Sequence, residues 1–171
     1  MVILVTGGSK SGKSKIAEEL LSGIGRKIYL ATMEPFGEEA KAAISRHRKL
    51  REGKGFETVE RSRDIRGSDI PNGTEGILVE CLSTLCANEI FSGNEKAPVE
   101  KIVSCIKLLK EKTNRLVIVT SSVDRDGIEY TAEVENYIRV LCEVNSRVAE
   151  LSDVVIEAVC GIPVTLKGAV L

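Results

Sequence analysis

Residues 7–14 read Gly-Gly-Ser-Lys-Ser-Gly-Lys-Ser, and they constrain the fold more than any other stretch of the chain. They fit the spacing G-x-x-x-x-G-K-[ST] at Gly7, Gly12, Lys13 and Ser14. Residues 2–6 before them form a short β-branched run, as a buried strand does. Residues 14–23 after them carry Ile16, Leu20 and Leu21 at helical spacing, with Gly23 as the expected stop. A glycine-rich turn between strand and helix can wrap an anion, because its backbone N–H groups are free to point inward. The start of the helix adds partial positive charge. Lys13 is then placed to meet the β- and γ-phosphates, and the Ser14 hydroxyl can bind Mg²⁺. The expected nucleotide-binding residues are Gly7, Gly8, Ser9, Lys10, Ser11, Gly12, Lys13 and Ser14, and the expected ligand is ATP or GTP with Mg²⁺.

The rest of the chain alternates in a way that suits this cradle. Apolar runs at 27–32, 76–82, 115–121 and 153–159 read as strands, with a short exposed strand at 56–60 and an edge pairing at 164–168. Helices are expected at 36–51, from 82 to about 91, at 97–113 and at 131–152. Strands that are apolar throughout and alternate with helices predict a mostly parallel sheet covered on both faces. The expected fold is α/β, a P-loop NTPase-like three-layer arrangement in one domain over 1–171. The stretch 66–76 is polar and glycine-rich and reads as a surface loop.

Composition narrows the function classes. The 171 residues are 43% apolar and 29% charged, the balance of a soluble globular chain. A net charge of −1 argues against general nucleic-acid binding, which needs an excess of cations. No apolar run approaches the roughly 20 residues of a membrane span, and no signal peptide is expected before the first strand. Five cysteines without a Cys-x-x-Cys, beside one histidine, do not form a structural zinc set. They read as small buried hydrophobes in a reducing cytoplasm.

A second contact for the metal is offered by Glu80, at the end of the apolar run 76–79. A carboxylate there is costly unless partnered. Either a neighbouring helix N-terminus satisfies it, or it faces the cradle and serves magnesium or the nucleophile.

The single histidine, His47, sits among Arg46, Arg48, Lys49 and Arg51. On a helix over 36–51 it shares a face with Ala43, Ile44 and Arg51. Nearby cations disfavour the imidazolium, so a neutral, nucleophilic ring is expected. Arg48 and Arg51 are candidates for neutralising phosphate. The same residues also suit a solvated basic helix face, and the segment alone does not decide between the two.

The order of these segments, from "ILVTGGSKSGKS" through "YLAT", "ISRHRKLREGKGFETVE" and "LVECLSTL" to "VNSRVAELSDVVIEAVCGIPVTLKG", resembles a known family. It is the bifunctional adenosylcobinamide kinase/adenosylcobinamide-phosphate guanylyltransferase family of cobalamin (vitamin B12) biosynthesis. The resemblance runs from residue 2 to about 168. Its most specific part falls on Ile44, His47, Arg51, Phe56, Thr58 and Glu60. It implies phosphorylation of adenosylcobinamide, then transfer of GMP from GTP to adenosylcobinamide phosphate through a guanylylated histidine. It also implies His47 as that nucleophile, Glu60 at the nucleotide, and a homotrimer; the cradle spacing and the strand-end acid give Lys13 and Glu80 as its catalytic partners and Ser14 and Glu80 as metal contacts.

The chain departs from the family at several places. Ser121, Ser122, Val123 and Asp124 stand where Asn-Glu-Val-Gly is usual, with one extra residue before Gly127. Arg139-Val140 replaces Arg-Asp, Phe56 replaces a tryptophan, and a cation before the histidine is missing near Ala43. The first departure falls where such sheets bind ligands, and so bears on the kinase step and on corrinoid specificity. Two other readings compete: a small-molecule kinase without guanylyl transfer, and a nucleotide-dependent switch without an enzyme activity.

Overall fold

Apolar runs that do not alternate must be buried on both faces, and in the computed structural model they occupy the middle of one sheet. The structure describes residues 1–92, 97–123 and 129–169. Its strands are β1 (Val2–Thr6), β2 (Lys27–Ala31), β3 (Phe56–Glu60), β4 (Gly76–Glu80), β5 (Arg115–Val119), β6 (Val154–Val159) and β7 (Ile162–Lys167). They form one sheet in the order β3-β2-β4-β5-β1-β6-β7. All pairings are parallel except β6 with β7. The helices are α1 (Lys13–Glu19), α2 (Gly37–Arg51), α3 (Leu82–Phe91), α4 (Pro98–Glu111) and α5 (Ala132–Leu151).

Strand periodicity divides the core into two layers. Ile3 and Val5 of β1 join Ile16, Ala17 and Leu21 on the α1 side of the sheet. Val2 and Leu4 turn the other way, among Leu82 and Leu85 of α3, Ile102 and Ile106 of α4, and Leu141 and Val144 of α5. The expected three-layer α/β fold is therefore present. Each fully buried Leu or Ile contributes roughly 1.5–3 kcal/mol, so both layers hold the helices against the sheet.

Some expected boundaries move. The first helix stops at Glu19 rather than running to Gly23. From there the backbone tightens into three-residue turns, Leu21 N–H to Glu18 at 3.1 Å and Ser22 N–H to Glu19 at 3.0 Å, which swing Leu21 into the core. Gly23, at φ +73°, permits the reversal that follows. The loop 66–76 is not wholly a surface loop: Ile70 and Thr74 are buried, with the Thr74 hydroxyl donating to the Pro71 carbonyl at 2.7 Å. The edge pairing begins at Ile162, two residues earlier than expected, and β7 is exposed along its length because only β6 pairs with it. Lys167 on β7 caps the end of α5, donating to the carbonyls of Ala149 and Glu150 at 2.9 and 3.0 Å.

The cysteine expectation needs correction. None of the five is in a disulfide, but only Cys86 is fully buried, and Cys142 and Cys160 are exposed. Cys142 follows the buried Leu141 on an amphipathic helix and so falls on its outer face. Cys160 occupies the β6–β7 turn at φ +51°. Among the described residues no helix is long and apolar enough to cross a membrane.

One buried charge ties the helical layer together. Glu89 of α3 is 3% exposed, accepts the Asp64 N–H at 3.0 Å and pairs with Lys101 of α4 at 2.6 Å. Lys101→Met should leave that carboxylate with the Asp64 N–H but without its cation, remove the lysine's second ion pair with Asp64 at 2.6 Å, and lower stability by about 2 kcal/mol, less than for a fully buried pair because the lysine is itself partly exposed. Chemical denaturation is the check, and an unchanged unfolding midpoint would remove Glu89 as a structural anchor.

Candidate active site

Parallel strands align all their C-terminal ends on one edge of the sheet, and the polar residues gather there. The glycine-rich turn follows β1. Glu80 ends β4 in register with Ala31 of β2 and Val119 of β5. Glu60 ends β3, and Ser121–Val123 follow β5. A cavity of about 440 Å³ opens along this edge, within the range of small-molecule sites. Its walls include Lys13, Ser14, Tyr29, His47, Arg51 and Glu80.

The cradle is built as its sequence requires. Gly7 has φ +140°, and a Cβ there would lie 2.7 Å from the Ala158 carbonyl oxygen and 2.9 Å from Ser11 Oγ. Gly12 has φ +97° and approaches the Gly161 Cα so closely that a Cβ would meet it at 3.0 Å. Both positions therefore demand glycine. Gly8 has open space around it. Lys13 is buried in the turn, its Nζ donating to the Gly8 carbonyl at 2.5 Å. Burial pushes its ammonium below the usual lysine range, and the neighbouring Cys81 and Glu80 oppose that shift. Ser9 and Lys10 line the cavity, while the Ser11 hydroxyl is buried without a hydrogen-bond partner.

Glu80 is the meeting point of the site. Its side chain is 8% exposed. Oε1 accepts from the Ser14 hydroxyl of the cradle, and Oε2 accepts from the Tyr29 hydroxyl at 3.0 Å. Of the two alternatives open in the sequence, this is the carboxylate facing the cradle rather than one held by a helix N-terminus. Burial is the main cause that drives the Tyr29 phenol far above its ordinary range, with the carboxylate beside it adding to the shift. Thr32 fixes the backbone next to Glu80: its hydroxyl accepts from Cys81 N–H at 2.8 Å and donates to the Cys81 carbonyl at 2.9 Å.

Helix α2 brings the histidine to the same place. His47 Nδ1 lies 3.8 Å from Glu80 Oε1, and Ile44, one turn earlier, also lines the cavity. The side chain of Ala43 lies outside the described residues. The face shared with Ile44 and Arg51 does line the cavity as expected, and the structure adds a carboxylate beside the ring that helical spacing does not show. Arg51, a candidate for neutralising phosphate, lines the same cavity. It is only 7% exposed and stacks on Tyr29, with its guanidinium carbon 3.3 Å from the ring centroid. It is not a solvated basic residue, and its Nη1 is buried without a hydrogen-bond partner. Arg48 pairs with Glu60 at the exposed rim. Phe56 packs edge-on against Tyr29 at a centroid distance of 6.3 Å.

The two oxygen donors, Ser14 Oγ and Glu80 Oε1, touch one another beside the cradle. Among the described residues no cluster of three or more His, Cys, Asp or Glu side chains could hold a metal. This donor set suits Mg²⁺, a hard cation that takes one or two protein oxygens and fills its other positions with phosphate and water.

Sequence reasoning missed Tyr29 and Thr32. A tyrosine inside an apolar strand, followed by a threonine, was the available signal, because a buried hydroxyl needs a partner. Ser121, Ser122 and Val123, flagged as departures, line the cavity. Asp124 and Gly127 lie outside the described residues. Arg139 bonds Asn136 at 2.9 Å on the outside of α5, and Val140 is core.

The glycine geometry yields a contrast. Gly7→Ala should lose about 1–3 kcal/mol of stability through backbone strain and contact, and with it the cradle's shape. Gly8→Ala should stay within about 0.5 kcal/mol of the parent. Thermal unfolding of both variants tests this, and equal tolerance would show that the turn is not closed as described.

Three comparisons bear on this geometry. The sequence profile of the family described as cobinamide kinase / cobinamide phosphate guanyltransferase matches residues 3–166. The bifunctional adenosylcobalamin biosynthesis protein CobU of Escherichia coli (strain K12) is 31% identical, with 98% of this chain and all of that protein covered. The CobU protein of Salmonella typhimurium is 29% identical over 98% of this chain and 100% of that one. The CobP protein of Pseudomonas aeruginosa is 25% identical over 96% of each. Among solved structures, the RadB recombinase aligns at a TM-score of 0.46 and 14% identity, over 91% of this chain and 73% of that chain. The cradle, the histidine helix and a profile match over nearly the whole length agree: the chain belongs to the cobinamide kinase / cobinamide phosphate guanyltransferase family.

Proposed function

We propose that this chain phosphorylates adenosylcobinamide and then transfers GMP from GTP to the resulting phosphate, with His47 as the covalent carrier, in a single domain spanning 1–171. The observation that carries this reading is the shared carboxylate. Glu80 contacts Ser14 of the triphosphate cradle and lies 3.8 Å from the ring of the chain's one histidine. A triphosphate seated on the cradle is thereby brought before the imidazole.

In the kinase step, the acceptor hydroxyl attacks the γ-phosphorus of ATP or GTP and releases its proton to solvent. The bond from that phosphorus to the bridging oxygen breaks, and the nucleoside diphosphate leaves with the electron pair. Lys13 and the cradle N–H groups hold the oxygens on which charge collects. In the guanylyl step, an imidazole nitrogen of His47 attacks the α-phosphorus of GTP. A P–N bond forms while the bond to the β-phosphate oxygen breaks, and pyrophosphate departs. A phosphate oxygen of adenosylcobinamide phosphate then attacks the same phosphorus and releases the histidine. Arg51, buried with an unpartnered Nη1 on the cavity wall, supplies a cation to the phosphates, as does Arg48 when it leaves Glu60. Ser14 and Glu80 would hold Mg²⁺, which neutralises phosphate charge when bound.

Five cysteines outside any disulfide fit a reducing cytoplasm, and the resemblance in sequence favours a homotrimer.

Two outcomes follow from the assignments. Mg-nucleotide at about 100 times its dissociation constant should stabilise the wild type by about 2.7 kcal/mol, and Lys13→Ala should lose most of that gain in a thermal-shift assay. A wild type indifferent to every Mg-nucleotide would end the nucleotide assignment. With GTP labelled at the α-phosphate, the wild type should acquire one acid-labile, base-stable label, and His47→Ala none. A folded wild type without label would leave a simple kinase if acceptor still stimulates diphosphate release, and a nucleotide switch if it does not.

A further inference from the structure

Only one of the two imidazole nitrogens can attack phosphorus, and the structure indicates which. In a neutral ring one nitrogen carries the proton and the other the lone pair, and the partner of the first decides the matter. His47 Nδ1 is the nitrogen that faces Glu80, 3.8 Å from Oε1, somewhat beyond hydrogen-bond length. The carboxylate is not free to swing away. It is buried, and the Tyr29 hydroxyl holds Oε2 at 3.0 Å while the Ser14 hydroxyl is bonded to Oε1. A carboxylate oxygen has two acceptor directions, so Oε1 can take an imidazole N–H as well as the serine.

We propose that Glu80 is a positioning residue for His47: it accepts the Nδ1–H, fixes that tautomer and ring orientation, and leaves Nε2 as the nucleophile. This rests on the guanylyl-transfer reading and specifies the site's chemistry further. The Nε2 lone pair forms the P–N bond to the α-phosphorus of GTP, and the bond from that phosphorus to the bridging oxygen breaks with release of pyrophosphate. The ring then carries a positive charge, with its proton still on Nδ1 against the Glu80 carboxylate. When the acceptor phosphate attacks, the P–N electron pair returns to Nε2, and the Nδ1 proton has not moved. A fixed carboxylate beside a developing imidazolium lowers the energy of both transfers.

The test uses the chain as it is, since one histidine gives one set of ring signals. Protein labelled with ¹⁵N-histidine is examined by NMR at a pH high enough that the ring is neutral. The free wild type should show Nδ1 as the protonated, pyrrole-type nitrogen and Nε2 as the pyridine-type nitrogen. Glu80→Ala should shift the ring toward the Nε2–H form that an unpartnered imidazole favours. Tyr29→Phe, which frees the carboxylate without removing it, covers the case in which Glu80→Ala does not fold, and should shift the ring in the same direction by less. After reaction with GTP and Mg²⁺, phosphorus–nitrogen coupling should place the GMP on Nε2. A wild type in the Nε2–H form, an equilibrium indifferent to both substitutions, or GMP on Nδ1 would overturn the proposal. Failure to form any adduct defeats the guanylyl-transfer reading instead, and the tautomer of the free protein still decides the part played by Glu80.

Discussion

A carboxylate buried at the end of a central strand needs partners, and in this protein its partners are the working parts of the site. Glu80 accepts from Ser14 on one oxygen and from Tyr29 on the other, with His47 beside it. These groups come from the glycine-rich turn, β2 and α2, which meet along the C-terminal edge of the sheet. Thr32 secures the backbone at Cys81 from both its N–H and its carbonyl, so the carboxylate stands on a fixed base. Satisfying one buried charge thus brings Ser14 of the glycine-rich turn and His47 of α2 to the same carboxylate.

The same constraint explains Arg51. Its guanidinium lies flat on Tyr29, whose hydroxyl is committed to Glu80. The stack draws the last turn of α2 down onto the sheet and turns the face bearing His47 and Ile44 toward the cavity. A guanidinium this well buried, with Nη1 unpartnered on the cavity wall, carries a cost that the stack on Tyr29 only partly offsets.

What was legible in the sequence was local. The cradle could be read because its eight residues are contiguous and their spacing has one physical purpose. Parallel strands could be read because both faces of each are apolar. Glu80 could be read because an acid rarely ends such a run. The tyrosine-arginine stack could not, because helical spacing puts Arg51 on the face of His47 without saying that the face turns inward. The carboxylate beside His47 could not be read for the same reason: helical spacing gives Ile44 and Arg51 on its face, whereas Glu80 comes from another element. The cysteines failed differently: an apolar local context is shared by the buried Leu141 and the exposed Cys142, and only helix phase separates them.

The central claim is that cradle and histidine serve one triphosphate in one cavity. The most direct measurement is a crystal structure with Mg²⁺ and a GTP analogue whose α–β bridge is methylene, so that no transfer can occur. The account predicts β- and γ-phosphates in the glycine-rich turn and the α-phosphorus about 3–3.5 Å from His47 Nε2, in line with the bridge. A triphosphate seated in the turn with its α-phosphorus out of reach of the ring would contradict it.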